Sequence, residues 1–205
     1  MPSECMILVV EDDLSMRESL VALLEEAAYK VRAYATAEDL LSADVPVELC
    51  CVISDVRMPG MDGLTLLRRL KLSKPGLPLI LITGHGDVSL AVSAMKAGAI
   101  DFLEKPFKAS VLLAAVAAAV QPQLASEMQA EPEAAQRSVR KLTPRELEVL
   151  DCIVAGKSNK EVAVKLSISP RTVEFHRAHI MEKVGAKRLP ELVRLWLTAQ
   201  RASKK

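Results

Sequence analysis

The sequence predicts an α/β fold followed by an all-α fold within one chain of 205 residues. Three observations carry that division: apolar runs in the first half that each end on a reactive side chain, closely spaced helix start and stop signals in the last third, and a reversal of charge between the two. The length allows it, since a chain of about this size suffices for one large domain or two smaller ones, each with its own core.

The first apolar run, Met6-Ile7-Leu8-Val9-Val10, leads into Glu11-Asp12-Asp13. The second, Leu49-Cys50-Cys51-Val52-Ile53-Ser54, has the continuous apolar character of a buried parallel strand; it ends on Asp55 and is followed by a loop at Met58-Pro59-Gly60. Leu79-Ile80-Leu81-Ile82 ends on Thr83, and Ala99-Ile100-Asp101-Phe102-Leu103-Glu104 delivers Lys105. If these strands are parallel, one sheet edge gathers an acid cluster, a hydroxyl and an ammonium. The carboxyl ends of strands are where open α/β sheets hold their ligands.

That grouping has a chemical logic. Clustered carboxylates repel one another and raise one another's pKa unless a cation intervenes. An all-oxygen site with few protein ligands suits Mg²⁺, which keeps several waters and favours phosphate as a partner. Asp55 is then placed to attack a phosphoryl group, with Lys105 neutralising the transferring oxygens and Thr83 donating a hydrogen bond to the acyl phosphate. An enzyme of the aspartate-nucleophile phosphatase class usually carries a second Asp two positions after the nucleophile, whereas this chain has Arg57. Gly84-His85-Gly86 fails as a nucleotide loop because Ser89 stands at the third glycine position. The expectation is a protein that is not an enzyme.

Charge separates the halves. Residues 1–120 hold 11 basic and 16 acidic side chains, net −5; residues 121–137 are net −2; residues 138–205 hold 15 and 7, net +8. The basic tail suits a polyanion. Residues 121–137, rich in Ala, Gln and Glu with Pro122 and Pro132, have the composition of a linker with helical pieces broken by prolines.

In the tail, Thr143-Pro144-Arg145-Glu146 combines an N-cap, a first-turn proline and a Glu three residues on, a capping box that opens a helix from Pro144 to Ala155 and stops at Gly156. Ser158-Asn159-Lys160-Glu161 repeats the device for a short helix to about Leu166, and Ser169-Pro170 starts a third that stops at Gly185. A fourth runs from about Leu189 to Ala199. Short helix, tight turn, longer helix is the helix-turn-helix arrangement. On the third helix Val173, Ile180 and Val184 share one stripe, with His176 nearby, while Arg171, Glu174, Phe175, Arg177 and Ala178 face elsewhere.

Four cysteines, Cys5, Cys50, Cys51 and Cys152, lack metal or redox spacing and are expected to be reduced packing residues. No run of 18 residues lacks charge or turn signals, and no charged-then-apolar leader precedes a cleavage site, so a cytoplasmic protein without a membrane span is expected.

The motifs Val-Val-Glu-Asp at 9–12, Asp-Val-Arg-Met-Pro-Gly-Met-Asp-Gly at 55–63, Ile-Thr-Gly-His-Gly-Asp at 82–87 and Phe-Leu-Glu-Lys-Pro-Phe at 102–107 resemble the receiver domain of a bacterial two-component response regulator. The resemblance implies a doubly wound, five-stranded, flavodoxin-like domain over 5–120. It implies Asp55 as phosphoacceptor, and Mg²⁺ or Mn²⁺ held by Asp12, Asp55 and the Arg57 backbone carbonyl, with Glu11 acting through water. Thr83 and Phe102 would form the switch pair, and Lys105 would bind phosphate ahead of a cis Lys105-Pro106 bond.

Residues 142–150, 156–163 and 168–177 resemble the LuxR-type helix-turn-helix, implying a four-helix DNA-binding domain over 138–203 after a linker at 121–137. By position Glu174, Phe175 and Ala178 would face bases, Arg171 and Arg177 would lie near base or phosphate, and Lys160, Thr172, Lys183 and Lys187 would contact backbone. The pair of domains is most similar to the FixJ branch of the NarL/FixJ subfamily. It implies a sensor histidine kinase, promoter DNA, RNA polymerase and a second copy of the chain as partners. Phosphorylation would swing Thr83 toward the phosphate, leave space for Phe102 to turn inward, and promote dimerisation and promoter binding. The rival is a phosphorylation-independent DNA binder with a relic receiver.

Overall fold

A computed structural model describes residues 5–44, 49–84, 87–120 and 132–202. The chain forms two compact units, Met1–Gly86 with Ala97–Ala125, and Asp87–Lys96 with Ser126–Lys205.

The α/β part alternates strand and helix: β1 (Met6–Val10), α1 (Leu14–Glu26), β2 (Lys30–Tyr34), α2 (Ala37–Ser42), β3 (Leu49–Asp55), α3 (Gly63–Ser73), β4 (Leu79–Thr83), α4 (Val88–Lys96), β5 (Asp101–Glu104) and α5 (Ala109–Val120). The five strands form one parallel sheet in the order β2-β1-β3-β4-β5. The four strands expected from the apolar runs are present, and β2 adds the fifth. Chain order reverses at β1, between β2 and β3, which opens a crevice at their carboxyl ends. Ile7, Val9, Cys51, Ile53, Ile80 and Ile82 are fully buried in the sheet and pack against Leu24, Leu112 and Val116 of the helices.

Short polar side chains start the helices. Asp13 accepts from the Met16 N–H at 2.7 Å, Thr36 from Asp39 at 3.1 Å, Asp62 from Thr65 at 2.6 Å and Asp87 from Leu90 at 2.6 Å. Each satisfies one of the N–H groups that a helix leaves unpaired at its start.

One expectation is corrected. Cys5 and Cys50, expected as reduced thiols, are joined in a disulfide, with their Cα atoms 5.6 Å apart. Met6 pairs with Leu49 and Ile7 with Cys51, so Cys50 is the extra residue of a bulge and is turned toward the start of β1. Spacing in sequence does not reveal such a register shift. Cys51 and Cys152 are free and buried, as expected, and burial pushes the Cys51 thiol up to about 12.

The helical part comprises α6 (Pro132–Val139), α7 (Pro144–Val154), α8 (Asn159–Leu166), α9 (Pro170–Val184) and α10 (Leu189–Ala202). Both expected capping boxes form, Thr143 with Glu146 and Ser158 with Glu161. Pro170 sits in the first turn of α9 behind the Ser169 cap, and Gly185 ends it at φ +75°. The turn between α8 and α9 is made by Ser167 in the left-handed region at φ 54°. Val149, Leu150, Ile153, Val162, Val173 and Ile180 form the core. The expected linker lies partly outside the described residues; from Pro132 onward the chain is helical, and α6 packs against α10 with Ala135 fully buried.

Glu146 does more than cap. Its carboxylate, 4 % exposed, accepts from Lys183 Nζ at 2.8 Å on both oxygens and from the Thr143 N–H at 2.8 Å. Burial works to raise its pKa, but the bonds from Lys183 and Thr143 outweigh it and bring it to about 2. A depressed folded-state pKa means stability that is complete above the unfolded carboxyl's value and lost as pH falls toward about 2. The half-open lysine discounts the gain to about 2 kcal/mol. Thermal unfolding followed through Trp196, the single tryptophan, which packs against this core, tests this. The native chain is expected to lose stability on acidification below about pH 4.5, and Glu146→Gln to start lower by that amount and to show a flatter profile.

Among the described residues no helix is long and apolar enough to cross a membrane.

Candidate functional site

The crevice at the carboxyl ends of β1 and β3 holds the acid cluster. Glu11, Asp12 and Asp55 bring carboxylate oxygens within 4.8 Å of one another, with Glu11 and Asp55 buried and Asp12 exposed. Asp55 is 6 % exposed; its Oδ2 accepts from the Arg57 N–H at 2.7 Å and its Oδ1 from Lys105 Nζ at 2.7 Å. Lys105 Nζ also donates to Glu11 Oε2 at 2.8 Å. The ammonium thus bridges two carboxylates carried by different strands.

The charges respond to this placement. Burial, together with the neighbouring Asp55 and Asp12 carboxylates, holds Glu11 above the ordinary carboxylate range although Lys105 opposes it. Burial works to lower the Lys105 pKa, but its bonds to Asp55 and Glu11 prevail and raise it. One ammonium leaves three acids incompletely neutralised. A hard, oxygen-seeking divalent ion completes such a set.

Backbone geometry sets the aim. Val56 N–H donates to the Ile82 carbonyl at 2.8 Å, and Lys105 N–H to the Thr83 carbonyl at 2.7 Å, so the segments leaving β3 and β5 are tied to β4. Thr83, fully buried, ends β4 one residue beyond Ile82, the register partner of Asp55. Phe102 is buried on β5 opposite Leu81. The Lys105-Pro106 bond is cis. His85 and Gly86 lie outside the described residues.

Arg17 was not anticipated at this site. From the first turns of α1 its Nη1 donates to the Glu11 carbonyl at 2.6 Å and to the Asp12 carbonyl at 3.2 Å, fixing the backbone that carries both acids. Its position one turn into the helix after the acid run is the only sequence signal.

The helical unit presents α9 with Val173, Ile180 and Val184 inward. Arg171, Glu174, Phe175 and Ala178 are exposed, as is Lys160 at the start of α8 and Lys187 beyond α9. Thr172 supports the helix start, its Oγ1 lying 2.8 Å from Ser169 Oγ. Two of the expected DNA-contacting cations have partners within the protein: Arg177 donates to Asn159 Oδ1 at 2.8 Å, which ties α9 to α8, and Lys183 is held by Glu146. Burial pushes the Arg177 pKa down, against the opposing pull of Glu174.

Comparison with known proteins agrees with this geometry. Residues 7–117 match the response regulator receiver domain family, and residues 140–196 match the bacterial regulatory proteins of the luxR family. The chain is 46 % identical over 196 residues to the transcriptional regulatory protein FixJ of Bradyrhizobium diazoefficiens, covering 94 % of this chain and 95 % of that one. It is 40 % identical to the transcriptional regulatory protein TdiR of Thauera aromatica, over 91 % of this chain and 83 % of that one. Among solved structures it is similar to full-length FixJ from B. japonicum, with 43 % identity, a TM-score of 0.54, and coverage of 97 % and 98 %.

Proposed function

The chain belongs to the FixJ-like two-component response regulators, transcriptional regulators that join a receiver to a LuxR-type DNA-binding domain, and from that premise we propose that Asp55 is its phosphoacceptor and α9 its reader of DNA. The observation that carries the first part is the Lys105 ammonium set between Glu11 and Asp55 at 2.8 and 2.7 Å. A phosphoryl group arriving at Asp55 meets a cation already in place.

Glu11, Asp12, Asp55 and the Arg57 carbonyl would hold Mg²⁺ or Mn²⁺, which supplies charge neutralisation for a transferring phosphoryl group. The chain's own residues do the rest. An oxygen of Asp55 attacks phosphorus as the bond to the kinase histidine breaks, the electron pair of that bond stays on the ring nitrogen, and the imidazole, protonated on its other nitrogen, departs neutral. Lys105 moves from a carboxylate to the new phosphoryl oxygens, and Thr83 donates its hydroxyl to the acyl phosphate. The product adds charge of about −1.5 to −2 by analogy with other phosphorylated side chains. Thr83 and Phe102 then rearrange and two receivers pair, bringing two copies of α9 to half-sites about one DNA turn apart. RNA polymerase is the expected downstream partner.

Of the expected contacts, Arg171, Lys160 and Lys187 are exposed for phosphates, with Arg177 and Lys183 acting after exchange of their internal partners. In this reading the receiver spans 5–120 and the DNA-binding domain, expected over 138–203, also takes in α6, which packs against α10. The test is a genomic footprint with and without Mg²⁺ and beryllofluoride, a surrogate for the phosphoryl group. Occupancy is expected to rise in its presence and to fall steeply with added salt, since phosphate contacts release counterions. Equal occupancy in both states favours the relic receiver.

A further inference from the structure

The outward face of α9 carries an aromatic pair that a polar DNA-facing helix does not require. Phe175 is 58 % exposed and is one of three phenylalanines in the chain. The His179 ring, one turn later, lies with its centroid 4.1 Å away and its plane tilted by 42°, and the His176 ring meets the same phenyl edge-on at 6.1 Å. Leaving a phenyl ring in water is unfavourable, and two flanking imidazoles hold this one at a defined angle.

We propose that Phe175, buttressed by His179, reads the C5-methyl group of a thymine in the major groove; this rests on the assignment of α9 as the DNA reader. A phenyl ring offers neither donor nor acceptor, and the thymine methyl is the apolar feature that the major groove displays. The neighbours agree. Ala178, on the same exposed face, brings no charge to the ring, while Arg171, one turn before Phe175, lies at the helix start where it can reach phosphate, as exposed Lys160 can from the start of α8. Electrostatic anchoring and apolar reading thus occupy different parts of the same surface. His179 is a positioning residue: its ring limits where the phenyl group can go.

The test uses the full chain with Mg²⁺ and beryllofluoride, and a duplex selected by it from a random library. Each thymine of that duplex is replaced in turn by deoxyuridine, which removes only the methyl group. Losing one buried methyl is expected to weaken binding about three- to fivefold at one position in each half-site, and little elsewhere. Phe175→Ala, an exposed position whose loss should leave the fold intact, is expected to bind the thymine duplex more weakly and to be indifferent to uracil at that position. His179→Ala should lose part of the discrimination and His179→Phe keep it, a split that a merely structural role would not produce. Unchanged binding to every uracil duplex, or discrimination that survives in Phe175→Ala, overturns the proposal. Failure to select any duplex sinks the DNA-reading assignment itself, and this proposal with it.

Discussion

Asp55→Asn is expected to abolish phosphoryl uptake from acetyl phosphate and to leave DNA occupancy unresponsive to the phosphodonor. The amide differs from the carboxylate by one atom and keeps its volume, so the buried pocket at the end of β3 stays filled. What disappears is the nucleophile: an amide oxygen does not form a stable acyl phosphate, and no other acid stands in its place. Glu11 is turned to Lys105 and Asp12 is exposed at the end of β1. Lys105 keeps Glu11 as a partner, so the ammonium is not left uncompensated, and the fold should survive. Radiolabel incorporation and footprinting read the two halves separately. Uptake equal to that of the native chain would remove Asp55 from its assigned role, while lost uptake with an unchanged footprint response would separate phosphorylation from DNA binding.

Much of this site is legible in the sequence alone. An apolar run that ends on Asp, Thr or Lys declares both a buried strand and the side chain it presents, so the parallel sheet and the carboxyl-edge cluster follow from one pattern. The helical tail was equally explicit, because capping boxes at Thr143 and Ser158 and the stop at Gly185 are local devices whose geometry depends on few neighbours. Less legible was whatever depends on partners distant in sequence. β2 is an edge strand, half-exposed, and its sequence Lys-Val-Arg-Ala-Tyr forms no apolar run. The meeting of Cys5 with Cys50 hangs on a one-residue bulge. Lys183 and Arg177 both carry the sign of DNA contacts, yet Glu146, 37 positions away, and Asn159, 18 away, hold them inside the fold. Charge is written in sequence; who neutralises it is written in packing.

Gly63→Ala is the substitution expected to cost the receiver most for the fewest atoms. Gly63 opens α3, and its N–H donates to the Val56 carbonyl at 3.0 Å, closing the loop that leaves Asp55. A Cβ there would lie 2.2 Å from the Asp55 carbonyl oxygen and 3.0 Å from Ser54 Oγ. The nearer atom is backbone, tied into the central strand of the sheet, and cannot swing aside. Relief requires α3 to move away from β3 or the end of β3 to shift, and either displaces the residue on which phosphoryl transfer depends. Overpacking of this kind typically costs about 1–3 kcal/mol, and the rigidity of the obstructing atom puts this case at or above the upper end. Gly76→Ala is the control: a Cβ there meets nothing within 4 Å and its φ lies outside the left-handed region, so stability should hold or rise by a few tenths of a kcal/mol as the unfolded chain loses freedom. Calorimetry of both variants, with radiolabel uptake on the folded fraction, measures the contrast. A Gly63→Ala protein as stable and as readily phosphorylated as the Gly76→Ala protein would show that α3 does not need its close approach to β3 to hold Asp55 in place.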